Sequence, residues 1–387
     1  MKIGIITLWQ SSDNYGQQLQ CWALQQQLLK MGHEPYLVRY DIDHRFGGQK
    51  QTLLKKLVKF ALVYPAVKSL QSKVERKREQ KLLDYVALRN KERHFEAFRN
   101  TELRLSNRLY ANLKELRDNP PKADAYIVGS DQVWAHLLSN PENAAMYLDF
   151  GENNTKRIAY APSFSMPNYP VKLKSLLKAK LSKFDALSVR EQTGVAICQE
   201  LGYKVDVVVD PTMLLVKDDY LKITEWQDCG NYVYLYYLNI SNRNEVKWIQ
   251  LKECADKSNL KIIATPASGY FIGKELFEDV EYKYATIPQW IGLIDGAQLV
   301  VTTSFHGVVF CILHHTPFVY FPLKGKYSRG NNRVVDLCDM LHLSNRIWNE
   351  ETSFETFINS DIDWENVDGI LNERRNASID YLKEALS

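Results

Sequence analysis

Short apolar runs rich in Val, Ile and Tyr alternate along this chain with longer stretches whose apolar positions recur three or four residues apart. Runs that short suit strands covered on both faces, and the longer stretches suit amphipathic helices. The chain opens as strand, helix, strand. Residues 2–8 read as a strand around the run Ile3-Gly4-Ile5-Ile6, and Asn14 can cap a helix carrying Leu19, Trp22, Ala23, Leu28 and Leu29. Gly32 ends that helix, and residues 36–38 begin the next strand. The pattern resumes at Asp124 with strands at 125–128, 158–161, 186–189 and 205–209. It starts again near Tyr232, with strands at 233–238 and 262–264 and helices at 245–258 and 287–295. A strand at 298–302, a helix at 308–314 and a strand at 318–321 follow, and a last helix covers about 367–386. Strands alternating with helices predict parallel sheets, whose carboxyl ends share one edge.

Polar residues collect at those ends. Gly129-Ser130-Asp131-Gln132-Val133-Trp134 follows one strand and Pro162-Ser163-Phe164-Ser165 the next. Arg190-Glu191 and Asp210-Pro211-Thr212 follow the two after that. In the second unit Thr303-Ser304-Phe305-His306-Gly307 turns a strand into a helix. Such a turn offers free backbone N–H groups to an anion, and a histidine there is a candidate proton carrier. The same position also suits a structural histidine with a satisfied ring. Arg190 has two roles open to it: an ion pair with Glu191 or Asp210, or two-point recognition of a carboxylate or phosphate. Asp131 and Asp210 can orient a sugar hydroxyl or the His306 ring, or simply cap their turns. The loop at 9–16 has no G-x-G-x-x-G pattern, so a dinucleotide is not indicated.

The 387 residues, 45% of them hydrophobic, are enough for two cores. The predicted fold is α/β, two Rossmann-like domains facing across a cleft. The first covers 1–220 with a basic helical insertion at about 50–105; the second covers 221–387, its last helix returning to the first. Between residues 50 and 81 ten Lys or Arg stand against two Glu, which reads either as a solvated helical face or as a docking surface for anionic membrane or a phosphorylated substrate. Residues 324–333 carry Lys324, Lys326, Arg329 and Arg333 among Gly and Asn, the composition of a mobile basic loop. A formal charge of +3 gives no nucleic-acid signature. Six scattered cysteines without a C-x-x-C pair argue for reduced thiols and against a zinc site. No apolar run reaches the roughly 20 residues of a membrane span, and no signal peptide is recognisable. The expectation is a cytoplasmic protein, at the inner face of the membrane if the basic stretch docks there.

Six pieces together carry a resemblance: Asn14–Leu24 as N-Y-G-x-x-L-Q-x-x-A-L, the G-S-D-Q-V-W turn, Y-A-P-S-F at 160–164, S-V-R-E at 188–191, D-P-T-M-L-L at 210–215, and T-S-F-H-G. In that order they resemble the polysaccharide pyruvyl transferase family. The resemblance implies two Rossmann-like domains similar to the GT-B glycosyltransferase architecture. It also implies transfer of pyruvate from phosphoenolpyruvate onto two sugar hydroxyls as a cyclic ketal, with phosphoenolpyruvate as co-substrate and no other cofactor or metal. The acceptor is a sugar, lipid-linked or free. His306 would be the acid/base and Arg190 a ligand of the donor. Candidate substrate contacts are Asn14, Gly16, Ser130, Asp131, Ser163, Thr303, Ser304, Gly307, Lys324, Arg329 and Arg333. Some family members carry R-L-H where this chain has Ser304-Phe305-His306. Either Arg329 or Arg333 supplies the missing charge, or the donor site differs. Two other classes fit the same residue types: a nucleotide-sugar glycosyltransferase of this architecture, and a non-catalytic relative that binds glycan or lipid phosphate.

Overall fold

The computed structural model describes residues 1–41, 67–267 and 274–387, without the side chains of 67–76, 79, 326 and 329. Two parallel sheets carry it. The first has seven strands: β1 (Lys2–Ile6), β2 (Glu34–Tyr40), β3 (Leu105–Tyr110), β4 (Ala125–Val128), β5 (Lys156–Ala159), β6 (Ala186–Val189) and β7 (Asp206–Val207), in the order β3-β2-β1-β4-β5-β6-β7. The second has five: β8 (Tyr232–Tyr237), β9 (Lys261–Pro266), β10 (Glu281–Tyr282), β11 (Leu299–Thr302) and β12 (Phe318–Tyr320), in the order β10-β9-β8-β11-β12. Both are therefore Rossmann-like, each reversing direction between its first strand and the strand paired on the other side.

Burial explains the composition of the strands. All of β4 and β11 is buried, as expected of strands covered by helices on both faces. In the second sheet Val233, Leu235, Leu299 and Val301 face one core, whereas Tyr234, Tyr236 and Val300 face another that is continuous with the first unit. Tyr15 crosses that junction. Its ring stacks on Trp290 at 5.0 Å, and its hydroxyl donates to the Ala285 carbonyl at 2.8 Å. The buried Arg93 guanidinium ties the two units further, donating to the Tyr15 hydroxyl and to the Pro266 carbonyl. The last helix, Trp364–Leu386, lies against the first unit: Arg375 donates to the Met213 carbonyl at 2.7 Å, and Tyr381 to that of Ala159 at 2.9 Å.

Four local features depart from the sequence expectation. The edge strand β3 is added just past the expected helical stretch, where no strand was expected; its polar side chains at 106–108 hid the strand pattern. The helix expected over 245–258 is split by Lys247, which takes a left-handed backbone with φ of 52° between a short turn and the Trp248–Lys257 helix. The strand expected over 205–209 shrinks to β7. The basic segment at 324–333 is not a loop but a 3-10 turn, Gly325–Gly330, running into the helix Asn332–Met340. Asn331 pins that turn, its carboxamide accepting from the Tyr320 hydroxyl at 2.9 Å and bonded to both the N–H and the carbonyl of Leu323.

The basic stretch at 50–81 lies outside the described residues up to 66; from Val67 to Lys91 it is a helix. Among the described residues no helix is long and apolar enough to cross a membrane. All six cysteines are buried and unpaired.

Asp149 holds three cations, Arg117, Lys180 and Lys183. Burial alone would raise its carboxyl; hydrogen bonds from those cations outweigh it and hold the group well below the usual range. A carboxyl depressed on folding contributes stability that is present above its unfolded value of about 4 and is lost as pH falls through the folded value. Asp149→Asn should therefore cost about 1 kcal/mol at neutral pH. In denaturant titrations the gap to wild type should close in acid; a gap independent of pH would assign the loss to packing instead.

Candidate active site

Open parallel sheets bind ligands where strand order reverses, outside the carboxyl ends. Both sheets are stitched there by a threonine. Thr7, just past β1, donates to the Ser130 carbonyl beyond β4 at 2.8 Å. Thr303, just past β11, donates to the Leu238 carbonyl beyond β8 at 2.8 Å and accepts from the Leu238 N–H at 2.9 Å. Left-handed non-glycine residues gather at the same ends: Asp131 with φ of 74°, Ala161 with 56°, Ser165 with 50° and Asn239 with 61°. Backbone held that way is costly and tends to cluster at functional sites.

Asp210 is the hub. Wholly buried, it accepts from Ser130 Oγ at 2.8 Å, Arg190 Nη1 at 2.7 Å and both the N–H and hydroxyl of Thr212. Its Oδ1 lies 3.7 Å from His306 Nε2. Burial pushes the Asp210 carboxyl up, but His306 and Arg190 more than offset that and hold it far below the usual range. Asp210 is thus a fixed negative charge shared by a guanidinium and an imidazole. It also caps its own turn, so both readings of the residue hold in one side chain.

His306 comes from the helix Phe305–His314, which starts three residues earlier than the apolar pattern indicates because Ser304 caps it, accepting from the Gly307 N–H at 3.3 Å. The imidazole is buried, and Nε2 has no hydrogen-bond partner among the described residues. The ring packs closely against Gly16, at the start of the helix Tyr15–Lys30. A Cβ there would stand 2.0 Å from both Cγ and Nδ1 of the ring. Only glycine admits that approach. Gly307 serves the same end: a Cβ on it would meet Thr302 Oγ1 at 2.4 Å.

A cavity of about 350 Å³ opens on the other side of Asp210, between the ends of β6 and β7 and the helix Asn332–Met340. Arg190, Phe305 and Arg333 line it; His306 does not, since Asp210 stands between. The guanidinium carbons of Arg190 and Arg333 lie 4.6 Å and 5.7 Å from the centre of the Phe305 ring, within cation–π range. Burial works against the charge on Arg190, but Asp210, Glu191 and Asp131 raise its pKa above the ordinary value. Arg333 is shifted the other way, by burial and by the positive charge of Arg190. Two cations that disfavour each other in one cavity are relieved by an anion. Arg190 retains donors for it: its Nε and Nη2 have no hydrogen-bond partner among the described residues. Gln132, with its amide oxygen turned to Arg333, accepts from that guanidinium at 3.0 and 3.2 Å and steadies it.

The other expected contacts take supporting places. Asn14 caps its helix, accepting from the Gln17 N–H at 3.2 Å, and Ser163 donates to Glu191 Oε1 at 2.6 Å. Asp131 uses its backbone carbonyl to take the N–H groups of Val133 and Ser163. Ser130, Thr303, Ser304 and Gly307 build the two turns rather than the cavity wall. Lys324 is exposed and does not line the cavity, and the Arg329 side chain lies outside the description. Of the two arginines expected to replace the one absent at Ser304, Arg333 is the one brought to Arg190. Glu191, Phe305, Gln132 and Asp336 were missed as site residues. Glu191 and Gln132 stand inside motifs already singled out, and that adjacency is the signal that could have found them.

The sequence model of the family described as polysaccharide pyruvyl transferase matches residues 14–325. No curated protein sequence matches the chain. Among solved structures it is similar to the UDP-GlcNAc 2-epimerase from Methanocaldococcus jannaschii, at 11% identity and a TM-score of 0.46 over 95% of each chain. The same enzyme from Neisseria meningitidis, bound to UDP-GlcNAc, gives 11% and 0.44 over 99% of this chain and 100% of that one. An alpha-glucosyltransferase in complex with UDP and DNA gives 10% and 0.45 over 99% and 95%. Likenesses this distant add nothing about ligand or chemistry.

Proposed function

The chain belongs to the polysaccharide pyruvyl transferase family, and on that premise we propose that it moves pyruvate from phosphoenolpyruvate onto two hydroxyls of a sugar, closing a cyclic ketal. The observation that carries the donor is the Arg190–Arg333 pair. A cavity within the range of small-ligand sites is lined by Arg190, Arg333 and Arg374, the first with two N–H donors that have no hydrogen-bond partner among the described residues. A small donor bearing both a carboxylate and a phosphate matches those guanidiniums in charge and in hydrogen-bonding sense.

In the proposed reaction the methylene carbon of the enol phosphate takes a proton and C2 becomes electrophilic. One sugar hydroxyl adds at C2 and gives up its proton, the C2–O bond to phosphate breaks, and inorganic phosphate leaves. The second hydroxyl then adds at C2, loses its proton and closes the ring. Arg190 and Arg333 hold the anionic groups and stabilise the departing phosphate. His306 supplies the proton. Arg190 and His306 share Asp210, so donor binding at Arg190 is coupled to the imidazole through one carboxylate. The His306 nitrogen beside Asp210 has no hydrogen-bond partner among the described residues, and the proposed proton transfer requires it to reach past Asp210 into the cavity.

Incubation with phosphoenolpyruvate and a panel of sugars should release inorganic phosphate. Release of nucleotide from nucleotide sugars, without phosphate from phosphoenolpyruvate, would favour a glycosyltransferase. Binding of either without turnover would favour a non-catalytic relative. Arg190→Lys keeps the charge but loses the fork, and should weaken donor binding by about 1.5–3 kcal/mol, roughly ten- to a hundredfold. Calorimetric titration with phosphoenolpyruvate checks it; unchanged affinity would leave Arg190 as a partner of Asp210 alone.

A further inference from the structure

The same cavity carries charge of opposite sign: the carboxylates Glu191, Asp336 and Asp339 line it beside Arg190, Arg333 and Arg374. Asp339 is engaged, accepting from the Ser344 hydroxyl. Glu191 is only 3% exposed and gives Oε1 to Ser163, while its Oε2 has no hydrogen-bond partner among the described residues. That oxygen is 3.7 Å from Arg190 Nε, too far for a hydrogen bond. Asp336 Oδ2 is likewise buried and without a partner. Residues lining one cavity thus carry two N–H donors and two carboxylate oxygens without hydrogen-bond partners among the described residues. Buried polar atoms are nearly always satisfied, and leaving a charged one unmade is expensive. An inorganic anion answers the donors and repels the carboxylates. A polyol answers the carboxylates, because each hydroxyl donates one hydrogen bond.

We propose that Glu191 and Asp336 form the acceptor subsite, each taking a hydrogen bond from one hydroxyl of the sugar that receives the pyruvyl group. This rests on the donor reading above and extends it: donor and acceptor share one cavity. Met213, Leu337 and Met340 in the same lining provide apolar surface for the face of a sugar ring. The site would take a neutral glycosyl unit in preference to an acidic one, since two carboxylates exclude a third.

Asp336 is the side chain to test, because it sits half-buried on the helix surface and Glu191 also braces Ser163. Asp336→Asn and Glu191→Gln would be compared with wild type in calorimetry with phosphoenolpyruvate. In parallel, saturation-transfer NMR would follow a panel of neutral methyl hexopyranosides, with and without phosphoenolpyruvate. The expected result is glycoside binding weakened at least about tenfold in Asp336→Asn, with donor affinity unchanged or tighter because a nearby negative charge is gone. Glu191→Gln should do the same, and a thermal unfolding curve separates any loss of fold. The subsite is overturned if no glycoside binds wild type, if Asp336→Asn binds it as well as wild type does, or if the substitution weakens donor and glycoside alike. Failure of phosphoenolpyruvate itself to bind would strike the donor reading, and glycoside binding measured without it would still decide the carboxylate subsite.

Discussion

Gly16→Ala should leave a folded protein with little turnover. A methyl group there would occupy the place of the His306 ring, 2.0 Å from its Cγ and Nδ1. Neither neighbour gives easily: the imidazole is packed at the start of a buried helix, and Gly16 lies in the first turn of another. The ring or the helix must shift by more than an ångström. Overpacking of this kind costs roughly 1–3 kcal/mol in stability. Misplacing a reacting group by about 1 Å costs on the order of a hundredfold in rate. Thermal unfolding and kcat, measured on the same preparation, check both. Wild-type kcat in this variant would mean that the ring position against Gly16 does not matter to the reaction.

His306→Ala should lower turnover by roughly 10²–10⁴, the range for loss of a general acid. Donor affinity should change little, because Arg190 and Arg333 line the cavity whereas His306 sits behind Asp210. A drop in kcat with donor binding preserved is the pattern of a group that acts in the transition state. The substitution also leaves a small void against Gly16, so unfolding should move down by no more than a core truncation allows. Equal turnover with a verified acceptor would make His306 a structural residue and remove the proposed acid.

The apolar runs of the chain make its parallel sheets legible, because strands buried on both faces need them and few other segments carry them. Asn14 and the turn at 303–307 were readable for a local reason too, since caps and strand-to-helix turns depend on side chains a few residues apart. What escaped depends on distant residues. The contact between Gly16 and His306 spans 290 positions and exists only after both sheets have formed. Arg333 was identifiable as a cation, but its place on a helix is set by Asn331, whose carboxamide closes the preceding turn. Asp210 looked like a turn cap and is one. Its contact with His306 adds the second unit, which no local pattern reports. The edge strand β3 was hidden because Ser106, Asn107 and Arg108 interrupt its apolar positions.

The most direct test of the donor site is a crystal structure of the protein soaked with phosphoenolpyruvate. The carboxylate or phosphate should sit on Arg190 Nε and Nη2 and on Arg333, over the Phe305 ring, with the methylene carbon turned toward Asp210 and His306. Phosphoenolpyruvate bound in a different pocket, or a cavity still empty at a saturating concentration, would contradict the account.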